Sequence, residues 1–120
     1  MDIEVRKTQK KGNGVFANRD FKEGEIIEIC PTIIFSKLEA ENHLENTKLK
    51  DYWFYWADDD NEAGAIPLGY GVLYNHSSLN NALAERDYIG KRIVIKAIKD
   101  IPKDSEINIK YNMLWFNEME

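Results

Sequence analysis

A single cysteine, Cys30, is all the thiol chemistry this 120-residue chain has. Neither an intrachain disulfide framework nor a multi-cysteine zinc cluster can form. Cys30 lies between Ile29 and Pro31 in an apolar stretch, so it reads as a small core residue, not a reactive thiol. Histidine is almost as scarce, with His43 and His76 only, and no second ligand is spaced beside either for a metal. No apolar run approaches the ~18 residues of a membrane span. The start, Met1-Asp2-Ile3-Glu4, lacks the basic and apolar regions of a secretory signal. No membrane association is expected, and an intracellular chain, cytoplasmic or nuclear, is. Positive charge is also short: 16 basic residues face 21 acidic ones, a net charge of −5. Direct nucleic-acid binding is therefore disfavoured, whereas a Lys-rich protein or peptide would find a complementary surface.

What is present is ordinary for one globular domain, with 43% hydrophobic and 31% charged residues, so residues 1–120 are expected to share one core. Short alternating segments dominate. Ile3-Glu4-Val5 and Val15-Phe16-Ala17 flank a turn at Lys10 to Gly14, and Ile26 to Ile34 is an apolar strand run interrupted by Pro31, which marks a bulge, an edge or a break. Ser36-Lys37-Leu38-Glu39 has the spacing of a capping box, predicting a helix of two or three turns to about Asn46. Leu49, Tyr52, Trp53 and Trp56 fall at helical spacing. Asp58-Asp59-Asp60 belongs to a polar loop without calcium-loop spacing. Leu83 to Asp87 and Arg92 to Ile98 form a hairpin about Ile89-Gly90, and Ile107 to Tyr111 alternates again. Val15 to Ile26 echoes Ile95 to Ile107, the second turn read as one residue longer, too faintly for a repeat architecture. The class is mostly β with small helices.

Chemistry concentrates at Asn75-His76-Ser77, where three hydrogen-bonding residues end an apolar run that contains Gly69 and Gly71. Local side-chain-to-backbone bonds would account for Asn75 and Ser77, and His76 alone reads as a partly buried, satisfied histidine. A ligand site and a simple turn both remain open from spacing.

Four segments taken together carry a resemblance: Lys11-Gly12-Asn13-Gly14-Val15-Phe16-Ala17, Gly69 to Ser77, Asn81-Ala82, and Glu106-Ile107-Asn108-Ile109-Lys110-Tyr111. In this order they resemble the signature segments of the SET-domain family, over about residues 3 to 116. In length the chain is similar to the smallest stand-alone members. The resemblance implies a β-clip fold with a C-terminal pseudoknot that brings Asn75-His76 and Tyr111 together. It implies S-adenosylmethionine as cofactor and a lysine side chain of a protein, such as a histone tail, as substrate. Lys11, Gly12, Asn13 and Gly14 would then contact the cofactor by backbone. Asn75 would hold its amino-acid end and His76 its adenine through the main chain. Tyr111 matches the catalytic tyrosine, while Tyr52 and Tyr74 would join it in lining the lysine channel. Trp115 would cover the adenine and Phe116 would complete the channel, or both would serve as a packed C-terminal anchor. A small open-ended domain exposing aromatics is also compatible with a homodimer.

These residue types suit the chemistry. A lysine of pKa about 10.4 must lose its proton before it can attack a methyl group on sulfonium, and a dry aromatic channel favours the neutral amine. Tyrosine offers an apolar wall and one hydroxyl to orient the lone pair, and alignment supplies much of the rate. The chain departs from the family pattern at Asn80, where proline is usual, at Asp104-Ser105, where glycine is usual, and after Tyr111. That last departure bears on channel width and the number of methyl groups added. A catalytically silent SET-like module binding peptide or cofactor is the alternative.

Overall fold

Alternation of apolar residues builds the first hairpin as expected: β1 (Ile3–Lys7) pairs antiparallel with β2 (Asn13–Ala17), Val5 opposite Val15. The computed structural model describes residues 1–44, 47–48, 52–56 and 62–110. The hairpin buries Ile3, Val15 and Ala17 and leaves Phe16 on its other face beneath the Arg6 guanidinium, 5.2 Å from the ring centre.

The main sheet has five strands in the order β4 (Phe54–Tyr55), β5 (Glu62–Pro67), β3 (Ile26–Ser36), β8 (Arg92–Ala97) and β7 (Ala82–Asp87). Of the bulge, edge or break expected at Pro31, neither a bulge nor a break is formed, and strand β3 runs through it. Pro31 is instead where β3 changes partner: it is the last residue opposite β8, and Thr32 begins the pairing with β5. A residue without an N–H is tolerated at such a handover, and the bulges fall elsewhere, at Ile26/Glu28 and Phe35/Ser36. Strands β7 and β8 form the predicted hairpin about Tyr88 to Lys91, where Gly90 N donates to Asp87 Oδ1 at 2.9 Å.

The capping box is present. Ser36 Oγ accepts from Glu39 N at 3.1 Å and Glu39 Oε1 accepts from Ser36 N at 2.9 Å, so each end satisfies the other. The helix α1 (Lys37–Glu39) opens there and continues as a π-helical segment, Ala40–Leu44. The predicted end at Asn46 lies outside the described residues, as do Leu49 and Asp58-Asp59-Asp60.

The helical stripe predicted across Trp53 and Trp56 is not formed. Phe54–Tyr55 is a strand, and alternation sends Phe54 and Trp56 into the main core while Trp53 packs edge-on against Phe35 in a smaller cluster. Apolar residues on both faces of an extended segment mimic helical spacing when the segment is short. Among the described residues no three potential ligands gather for a metal, and no helix is long and apolar enough to cross a membrane.

The internal echo is real in space. Phe21 and Ile101 exchange backbone hydrogen bonds, both 2.8 Å. Gly24 N donates to Ala97 O as Asp104 N donates to Ala17 O. Asp100 Oδ1 accepts from Glu23 N and Asp20 Oδ1 from Lys103 N. Each bond has a twin at a constant offset of 80 residues. Ser105 therefore matches Glu25, and the second turn is not longer, as the sequence comparison had it. Asp104 takes a positive φ of 71° where Gly24 has 91°, a conformation that aspartate tolerates better than most residues.

The last described segment is held between two others. Strand β9 (Asn108–Ile109) pairs in parallel with β6 (Asn75–His76), and the preceding Ile107 N donates to Val15 O of β2 at 2.8 Å. Asn81 fixes it from a third side: its Nδ2 donates to Glu106 O and its Oδ1 accepts from Asn108 N, both 2.9 Å. Ile107 and Ile109 are thereby fully buried beside Ile93, Ile95 and Ile101, each such burial contributing roughly 1.5–3 kcal/mol. We expect Asn81→Leu to destabilise the fold by about 2–4 kcal/mol in urea titrations, because two backbone groups lose partners. Asn81→Asp, which keeps only the acceptor, should lose about half as much.

Candidate active site

The loop between β1 and β2 is tied before it reaches the site. Thr8 N and Oγ1 both donate to Gly12 O, at 2.6 and 2.9 Å, and Lys11 N donates to Thr8 Oγ1 at 2.8 Å. Gly12 adopts φ +71°, which glycine reaches without strain. The tied loop projects Lys11 across to β6, where its Nζ donates to the main-chain oxygen of His76.

Two residues on, Asn13 also meets β6. Asn75 Nδ2 donates to Asn13 O at 2.9 Å and to Glu106 Oε2 at 2.8 Å. Gly14 lies against this pair, and a Cβ there would fall 2.5 Å from Glu106 Oε2 and 2.8 Å from Asn75 Nδ2. Lys11, Gly12, Asn13, Gly14, Asn75 and His76, the predicted cofactor-binding residues, are thus assembled in one cluster. Glu106, which the sequence reading placed in the last of the four resembling segments without a role of its own, joins them. Its spacing two residues before Asn108 on an alternating strand was the available signal. Glu106 also lines a cleft of about 420 Å³ with Lys7, Thr8, Gln9, Lys10, Lys11 and Phe16.

The aromatic residues assigned to the lysine channel divide. Tyr52 is 46% exposed, and no described contact joins it to the cluster. Tyr74 is 2% exposed, in the core, and its hydroxyl donates to Glu28 Oε1 at 2.7 Å. Burial, then the adjacent Glu28 charge, raises the phenol well above its ordinary range, so it remains a neutral donor. Glu28 also accepts from Tyr70 N at 2.9 Å and leaves no room for a Cβ at Gly69. The glycine before the Asn75 segment accommodates this carboxylate. Burial likewise raises the Cys30 thiol, with Glu28 adding to it, consistent with an inert core cysteine. Tyr111, Trp115 and Phe116 lie outside the described residues.

A β-rich clip with its last strand held beside an Asn-His turn and a glycine-bearing hairpin is the layout of a SET domain. A crystal structure of a candidate histone methyltransferase from Plasmodium falciparum superposes with a TM-score of 0.78 at 37% identity, covering 96% of both chains. A structure of a humanized Chaetomium thermophilum Polycomb Repressive Complex 2 shares the fold at 22% identity, with a TM-score of 0.76, over 93% of this chain and 15% of that one. The SET domain family model matches residues 12–112. The H3 lysine-37 specific histone-lysine N-methyltransferase of Schizosaccharomyces pombe is 32% identical over 117 residues, covering 97% of this chain and 78% of that protein. The variant-silencing SET domain-containing protein of Plasmodium falciparum is 34% identical over 131 residues, or 99% of this chain, which spans only 5% of that protein's length. The chain belongs to the SET-domain family, and its class of activity is protein-lysine N-methylation.

Two substitutions probe the packing. Gly14→Ala should force Asn75 and Glu106 apart and lower stability by about 1–3 kcal/mol in thermal or urea unfolding. Tyr74→Phe, which removes one of two donors to Glu28, should cost about 1–3 kcal/mol in the same assays.

Proposed function

We propose that this chain transfers a methyl group from S-adenosylmethionine to the ε-amine of a lysine in a histone-like basic tail, in a chromatin-facing, nuclear setting. The observation that carries the proposal is the convergence of Asn13, Gly14, Asn75 and Glu106 within hydrogen-bond distance beside a cleft, inside a SET fold. The donor set fits the cofactor's amino-acid end: an amide, backbone groups of a glycine turn and nearby lysines offer partners for both ammonium and carboxylate. The absence of room at Gly14 shows backbone and side chains already in contact there, so the cluster is formed before any ligand arrives.

When bound, the cofactor supplies an electrophilic methyl group on a cationic sulfonium. Asn75 and the turn from Lys11 to Gly14 would hold its amino-acid end, His76 the adenine through its main chain, and Trp115 the outer face. Tyr111 would orient the substrate amine. Tyr52, exposed and aromatic, would border the entry with Phe116 and attract the lysine cation there; Tyr74 would back that wall from the core, its hydroxyl held by Glu28. The net charge of −5 favours approach of a Lys-rich tail.

Labelled S-adenosylmethionine, a histone mixture and Lys-rich peptides, with the product mapped by mass spectrometry, test the proposal. We expect methyl transfer to lysine. Cofactor binding by calorimetry without any transfer would instead identify a silent binding module. Tyr111→Phe should lower turnover on the order of a hundredfold while changing cofactor affinity far less; equal losses in both would contradict an orienting role.

A further inference from the structure

Both hydrogens of the Asn75 side-chain amide are used inside the protein, one by Asn13 O at 2.9 Å and one by Glu106 Oε2 at 2.8 Å. Turned over, the amide would set Oδ1 against two oxygens with no hydrogen between them. Its orientation is therefore fixed by chemistry. Among the described residues no donor reaches Oδ1. Asn75 is partly exposed, so that oxygen is open to a donor beyond the described residues.

Glu106 is well placed to impose this choice. Its backbone oxygen accepts from Asn81 Nδ2 at 2.9 Å, and it bridges to Phe16 of β2. Its neighbours are bonded as well, Ser105 O to Ala17 N and Ile107 N to Val15 O. The main chain that carries the carboxylate is held without help from a ligand, and a carboxylate is a stronger acceptor than an amide. Asn13 O alone would engage only one amide hydrogen.

We propose that Glu106 is a positioning residue for the methyltransfer site: its carboxylate holds the Asn75 amide with Oδ1 turned outward, as the acceptor for the ammonium of the cofactor's amino-acid end. This rests on the methyltransferase function proposed above, and it adds a residue to which that function assigned no separate task. A role in structure alone would tie β2 to β6 equally well, but would leave cofactor affinity indifferent to which amide end faces out.

The experiment uses the 15N-labelled chain, following the Asn75 side-chain NH2 by NMR without ligand, with calorimetry using S-adenosylmethionine and S-adenosylhomocysteine. In the wild type the amide hydrogens should exchange at least about tenfold more slowly than those of an exposed asparagine. Glu106→Ala should release that protection and weaken both ligands about tenfold. Glu106→Gln, which keeps an acceptor oxygen at the same reach, should restore the protection and hold affinity within about threefold. Unchanged Asn75 exchange in Glu106→Ala overturns the inference, as does released exchange with undiminished affinity. Should Glu106→Ala fail to fold, Glu106→Gln decides alone: a tenfold loss of affinity with the amide still protected would show that charge, not orientation, is the contribution. A wild-type chain that binds neither ligand would overturn the methyltransferase proposal and with it this role. A wild type and a Glu106→Ala variant that bind equally would overturn this inference alone.

Discussion

Asn81 is the point through which the strand pairings of the site are held together. Its side chain donates to Glu106 O and accepts from Asn108 N, while its backbone N donates to Asn108 O and its oxygen accepts from Ile98 N. One residue thus completes the hydrogen bonding of the last strand and fastens it to the β7–β8 hairpin. Without those bonds the short β9 would rest on a two-residue parallel pairing with β6, too little to hold a strand by itself. Because β9 is held, Glu106 is held, and through Glu106 the Asn75 amide. Site geometry and fold stability share the same few bonds.

A second anchor lies on the far side of the Asn75 segment. Glu28, on β3, accepts from Tyr70 N and the Tyr74 hydroxyl, so the loop leading into β6 is fixed to the main sheet by one carboxylate. A partly buried carboxylate with two donors is tolerable where an unpaired one would not be. The β6 strand therefore enters the site between two acidic side chains, Glu28 behind and Glu106 in front, each directing the orientation of a neighbour.

Much of this was legible from the residues. Alternation marked β1, β2, β7 and β8, and the Ser36–Glu39 spacing marked the helix start, because those signals are local. Lys11, Asn13, Gly14, Asn75 and His76 were singled out by family resemblance, and the structure places them beside one another. What failed depended on distant partners. Trp53 and Trp56 look helical because an extended strand buried on both faces presents aromatics at similar intervals. Pro31 left a bulge, an edge and a break open because sequence does not show that β3 exchanges one neighbour for another there. Tyr74 reads as a ligand-facing aromatic beside Asn75, and only the position of Glu28, 46 residues away, accounts for its buried hydroxyl. Glu106 carried only the weak signal of its spacing before Asn108, and its partner Asn75 lies 31 residues away.

The twinned turns around Phe21 and Ile101 impose an order on assembly. Neither turn has its bonding partner until the other exists, and the two are separated by 80 residues of chain. Closing so long a loop carries its entropy cost before any contact rewards it, which slows folding in domains dominated by non-local pairings. A chain emerging from the ribosome would present the β1–β2 hairpin before the later turn, yet the turn after that hairpin and the backbone groups of Val15 and Ala17 gain their partners only when residues 97 to 107 have been made. Nascent copies therefore carry exposed strand edges while the intervening 80 residues are made, a window in which assisted folding or misassembly can act.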